Sequence, residues 1–122
     1  MVEVICDTSF LIHLATTRIK NISNIETEIG SLQFVIPKVV EDELQNLLND
    51  EKKKQNALAT IEFSKKLKKI PISGKFADKE LIDYVKKQGG IIGTMDKELK
   101  NVVKKSGGSV ISFSNDRIVL ES

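Results

Sequence analysis

Hydrophobic positions along this chain follow two rhythms, one short and nearly continuous, the other recurring every three or four residues. Val2–Cys6 is a brief apolar run with β-branched members and predicts a buried strand. Asp7, Thr8 and Ser9 follow, all favoured helix N-cap types. Phe10, Leu11, Leu14 and Ala15 then predict a helix, and Ile19, Ile22, Ile25 and Ile29 recur at helical spacing up to a stop at Gly30. Phe34–Ile36 predicts a second strand closed by Pro37, and Val39, Val40, Leu44, Leu47 and Leu48 an amphipathic helix. The run Lys52–Lys54 opens a further helix, with Leu58, Ile61 and Leu67 on its apolar side, that ends before Pro71. Leu81, Ile82 and Val85 mark a helix stopped by Gly89-Gly90, and Ile91–Thr94 a third strand. Leu99, Val102 and Val103 mark a helix stopped by Gly107-Gly108. Val110–Phe113 and Ile118–Leu120 complete the strands.

Strand and helix alternate throughout, which predicts an α/β fold with a mostly parallel sheet covered by helices on both faces. No repeat, low-complexity tract or linker divides the chain, so residues 1–122 read as a single domain, a length that can bury a core of its own. The longest apolar run falls well short of the roughly 20 residues that span a bilayer. Glu3 and the absence of a basic lead-in argue against a secretory signal. One cysteine, Cys6, cannot form an internal disulfide and suits a reducing cytoplasm. It reads as a small core residue, and the lone His13 as a structural or surface group. One His and one Cys supply no zinc site, so any metal must be a hard cation held by oxygens.

The net charge of +2 hides an asymmetry that changes this picture. Residues 52–105 hold 15 Lys against 6 acids, a balance of +9, while the remainder holds 4 basic residues against 11 acids, a balance of −7. A basic block beside a separate acidic set suggests a polyanion partner together with a cation. Open parallel sheets carry their function outside the carboxyl ends of their strands. Asp7 directly follows the first strand and Asp96 lies two residues past Thr94. Their carboxylates converge if those strands are neighbours. Glu43, on the helix after the second strand, and Asp78, at the start of the helix before Ile91, can reach the same cleft. Each of the four also has a plainer role: Asp7 and Asp96 as N-caps, Asp78 as a complement to the helix dipole, Glu43 as a solvated helix acid. Their joint placement carries the functional reading. Anions gathered this way raise one another's pKa unless a cation compensates, and a divalent cation can also activate water against a phosphodiester.

Four segments, VICDTSFL, IPKVVEDEL, FADKELIDYV and IIGTMDKEL, in this order resemble the acidic signature of PIN-domain nucleases over essentially the whole chain. The resemblance implies a three-layer α/β/α sandwich and metal-dependent cleavage of single-stranded RNA with Mg2+ or Mn2+. Asp7, Glu43, Asp78 and Asp96 would be the metal ligands and catalytic acids. Thr8 or Thr94 would support them by hydrogen bonding, and Glu98 is an auxiliary acid. Many family members carry two aspartates where this chain has Asp78-Lys79. That departure puts turnover in doubt and keeps a non-catalytic RNA-binding assembly factor as the rival reading.

The C-terminal segment SVISFSNDRIVLE is similar to archaeal relatives of the PIN nucleases of small-subunit rRNA processing, with the toxin nucleases of toxin–antitoxin pairs as the alternative. Partners so implied are single-stranded RNA or an rRNA precursor, a ribosome-assembly partner or an antitoxin, and a second copy of the chain, with no membrane. Charge alone selects Lys97, Lys100 and Lys104, on the helix that begins at Asp96, as the rim that binds RNA phosphates.

Overall fold

A computed structural model describes residues 2–19, 26 and 28–121. Six strands form one sheet: β1 (Val2–Cys6), β2 (Leu32–Pro37), β3 (Lys68–Ile70), β4 (Ile91–Gly93), β5 (Ser109–Ser114) and β6 (Arg117–Glu121). Helices among the described residues are α1 (Thr8–Thr16), α2 (Lys38–Leu47), α3 (Lys54–Ser64), α4 (Ala77–Gln88) and α5 (Lys97–Lys105). The strand order is β3-β2-β1-β4-β5-β6, parallel except for β6, which runs antiparallel to β5. Asn115 and Asp116 make that last turn with φ of 53° and 62°, the left-handed pair that a two-residue hairpin requires and that Asn and Asp tolerate.

Alternation along the strands sorts the core into two layers. Val4, Cys6, Ile36 and Ile111 point to one face, where Phe10, Leu11 and Leu14 of α1 and Val39, Val40 and Leu44 of α2 cover them. Helix α3 packs on α1 and α2 outside this layer. Ile5, Val35, Ile92 and Val110 point to the other face, under Leu81 and Val85 of α4 and Leu99 and Val103 of α5. The result is the expected three-layer α/β/α sandwich. Gly93 is demanded by this packing. A Cβ there would lie 2.8 Å from the Phe10 ring, which is stacked on Phe113 at 4.6 Å.

One sequence reading is corrected here. The helix opened by Lys52–Lys54 was expected to run to Pro71, but α3 ends at Ser64 and Lys68–Ile70 is strand β3, paired with Val35, Ile36 and Pro37. Two adjacent lysines give no apolar alternation, so the strand is invisible in the pattern. It exists because the open edge of β2 offers backbone groups to pair, and its lysines suit a sheet edge. The strand read as third is therefore the fourth. In the isoleucine series, Ile22 and Ile25 lie outside the described residues, whereas Ile29 is helical and Gly30 follows with φ of 95°.

The chain runs outward from β1 to β3 and then crosses back to β4 on the other side of β1. The reversal falls between β1 and β4, where an open α/β sheet leaves a crevice at its carboxyl edge.

Candidate active site

Asp7 and Asp96 stand at that crevice. Cys6 is in register with Gly93, and the Asp7 N–H donates to the Gly93 carbonyl at 3.0 Å. Asp7 caps α1: its Oδ1 accepts from the Phe10 N–H at 2.9 Å and the Ser9 hydroxyl at 3.0 Å. Its Oδ2 accepts from the Thr94 hydroxyl at 2.6 Å. The carboxyl is 8% exposed. Burial pushes its pKa up; the hydrogen bonds from Thr94, Phe10 and Ser9 oppose this, and the nearby charge of Asp96 adds to it. Asp96 caps α5, its Oδ1 accepting from the Glu98 and Leu99 N–H groups at 2.8 and 3.1 Å. The fully buried Thr94 ties the two together, because its Oγ1 also accepts from the Asp96 N–H at 3.1 Å.

Glu43 arrives from α2 on the flank of that helix's apolar face, four residues from Val39 and Leu47. Its neighbours Glu41 and Asp42 turn outward to Lys69 and Lys38. Glu43 instead accepts from the Thr8 hydroxyl at 2.7 Å and the Ala77 N–H at 3.0 Å, so one carboxylate joins the starts of α1 and α4. Asp78 follows in the first turn of α4. Asp7, Thr8, Ser9, Glu43, Ala77, Asp78, Asp96 and Leu99 line one cavity of about 260 Å³. The N-cap and dipole roles weighed against the functional reading are thus real, and the carboxylates they orient face one space.

Sequence reasoning missed Ser9, although it sits within the Asp7-Thr8-Ser9 run, and Ala77, whose backbone donor no side-chain pattern can reveal. Glu98 is exposed and faces a smaller cavity with Asp78 and Asp96 instead of the main one. Of the lysine rim, Lys97 is exposed, whereas Lys100 and Lys104 are taken up by Glu121 of β6 at 2.9 and 3.3 Å. The Lys100 hydrogen bond leads the causes that hold the Glu121 carboxyl below its usual range. His13 rests on Phe113 with Nε2 3.4 Å from Asp116 and does not line the cavity. Cys6 is buried, and burial pushes its thiol pKa far up, which leaves it inert.

The electrostatics of the cavity are one-sided. Among the described residues no Lys, Arg or His pairs with any of the four acids. Likewise neither oxygen of Asp78 nor Oδ2 of Asp96 has a hydrogen-bond partner. The carboxylates surround a space and do not close on a point: among the described residues no three acidic, His or Cys groups form a ready-made metal cage. The donor set, oxygen only and uncompensated, fits a hard divalent cation that keeps part of its water shell.

Because Thr94 bridges Asp7 and Asp96, Thr94→Val keeps the shape and removes both bonds. It is expected to destabilise the fold by about 1–3 kcal/mol, the cost of stranding buried polar groups. Urea unfolding that superimposes on the parent would show that the bridge carries no weight.

The molecule is therefore an α/β protein whose mostly parallel sheet carries an acidic cleft at its reversal point. The family model of the PIN-like domain matches residues 4–115, and the chain belongs to that family, whose members are generally nucleases. Among solved structures, the PIN domain endonuclease Utp24 superimposes with a TM-score of 0.78, covering 98% of this chain and 90% of that one, at 24% sequence identity. No curated protein sequence matches the chain. Among the described residues no helix is long and apolar enough to cross a membrane.

Proposed function

We propose that this protein is a metal-dependent endoribonuclease that cleaves single-stranded RNA. The observation that carries the reading is the set of four carboxylates in one cavity with no protein cation paired to any of them. Asp7 and Asp96 would be the central ligands of Mg2+ or Mn2+, with Glu43 and Asp78 completing the site. When bound by these residues, such an ion would supply Lewis-acid activation of water and neutralisation of charge building on the phosphate. Thr94 orients Asp7, and Thr8 orients Glu43. An acid of the cluster would accept the proton of the attacking water, and Asp78 and Asp96 both keep unpartnered oxygens among the described residues. The C-terminal pattern SVISFSNDRIVLE carries the narrower reading, a role in rRNA processing or ribosome assembly with an rRNA precursor as substrate. Residues 1–122 would act as one domain.

Lys79 supports a second reading, an assembly factor that binds RNA without turnover. Against it, Lys79 lines a neighbouring groove and not the acidic cavity. The separating experiment is a manganese titration of the protein with end-labelled single-stranded RNA. Cleavage that needs manganese and stops with EDTA is expected. Intact RNA at millimolar manganese would hand the lead to the assembly-factor reading.

A further inference from the structure

Phe76 occupies the N-cap of α4, a position that favours Ser, Thr, Asp or Asn, and it makes no side-chain cap hydrogen bond. Its side chain is absent from both core clusters, and the residue is 62% exposed. Neither local nor tertiary folding explains an aromatic ring there. Its backbone is nevertheless held firmly. The Phe76 carbonyl accepts from the Glu80 N–H at 3.1 Å, and the next N–H, that of Ala77, donates to Glu43 in the acidic cavity at 3.0 Å. The Glu80 side chain packs over Gly74, where a Cβ would collide with it. The backbone that carries the ring is thus tied to the acidic site.

A groove of about 530 Å³ lies alongside, lined by Phe76, Asp78, Lys79, Ile82, Asp83 and Lys86. Asp78 also lines the acidic cavity, so the groove adjoins it. Lys79, Ile82, Asp83 and Lys86 fall at i, i+3, i+4 and i+7, one face of α4, which places the two lysines about 10.5 Å apart along the helix axis. Both lysines are exposed, and among the described residues neither pairs with an acid, although Asp78 and Asp83 lie in the same groove. An aromatic face beside two uncommitted ammonium groups is the combination that receives single-stranded nucleic acid: bases stack on the ring and phosphates meet the cations.

We propose that this groove carries the RNA strand away from the acidic cavity, with one nucleobase stacked on Phe76 and backbone phosphates on Lys79 and Lys86. The inference rests on the reading of the cavity as a ribonuclease site. It gives Lys79, in the position where relatives carry a second acid, a task of its own. Stacking on a bare ring accepts any base, so this contact contributes affinity without sequence preference.

The test is fluorescence anisotropy of a labelled mixed-sequence single-stranded RNA with the full-length protein in EDTA, where binding is read without turnover. Phe76→Ala is expected to weaken binding by about five- to a hundredfold, the range for losing one stacked base. Phe76→Trp should restore it, whereas Phe76→Leu, apolar but without a π face, should not. Lys79→Gln and Lys86→Gln should each lower the slope of log affinity against log salt by about 0.7. Val119→Ala, an exposed apolar change on β6, should bind as the parent does. Unchanged affinity and salt slope in the Phe76 and Lys variants would overturn the proposal and leave Phe76 as a protein-docking residue. So would absence of parent binding in both EDTA and manganese. Cleavage of the same RNA by the parent is followed in parallel with manganese. Cleavage with unchanged Phe76→Ala affinity sinks the groove alone, and Phe76-dependent binding without cleavage sinks the nuclease reading alone.

Discussion

Asp7→Asn is expected to abolish the proposed metal-dependent RNA cleavage while leaving the fold at least as stable as the parent. Residues that merely orient a metal ligand cost about 10- to 100-fold when removed. Loss of Asp7, the proposed central ligand at the sheet's reversal point, should therefore exceed 100-fold. The stability half follows from burial. Asp7 is nearly enclosed, its pKa is raised chiefly by that burial, and among the described residues the charge that acts on it is the like charge of Asp96. An acid whose folded pKa lies above its unfolded value of 3.8 binds protons more readily in the folded state. It therefore costs stability once pH rises past that window, and costs nothing below the unfolded value. The amide keeps an oxygen for the Phe10 N–H cap and carries no charge. Melting curves of the metal-free proteins should place Asp7→Asn at or above the parent at neutral pH, with the gap closing as pH falls toward 3.8. A variant that cleaves at the parental rate would remove Asp7 from the site. One that melts well below the parent at neutral pH would show that its hydrogen bonds outweigh its desolvation.

Phe10→Ala produces the largest loss of stability expected in the molecule, about 3–5 kcal/mol. The ring is fully buried, stacked on Phe113 at 4.6 Å, tilted against Phe34 at 6.1 Å, and seated over Gly93 where no Cβ intervenes. Removing it opens a space that β4 cannot fill, because glycine has no side chain to advance. A domain of this size holds only about 5–15 kcal/mol in total, so the variant should lose roughly a fifth or more of its denaturation midpoint. The same ring sits between the two strand ends that carry Asp7 and Asp96, so function should fail on mild heating before it fails in the cold. An unfolding free energy from urea titration within about 1 kcal/mol of the parent would contradict the packing account.

The alternation of strands and helices, the glycine stops and the positions of the four acids were legible in the chain because each is local. A buried strand needs four or five apolar residues in a row, a helix needs their recurrence every third or fourth, and an N-cap names itself by residue type. Asp7 and Asp96 could be suspected jointly only because parallel sheets put function at strand ends, a rule that acts before any contact is known. The edge strand at Lys68–Ile70 could not be read, since its pairing partner is 33 residues away and its own side chains carry no alternation. Nor could the chain tell that Lys100 and Lys104 would be claimed by Glu121, because a lysine's partner depends on which strand folds beneath its helix. Glu43 looked like one of three similar acids until α2 was seated. Packing Val39, Val40 and Leu44 inward turned Glu41 and Asp42 toward lysines and left Glu43 facing Thr8 and Ala77. Hydrogen bonds and ion pairs between distant segments are decided by which surfaces the hydrophobic layers bring together, and that information exists only once the sheet order is set.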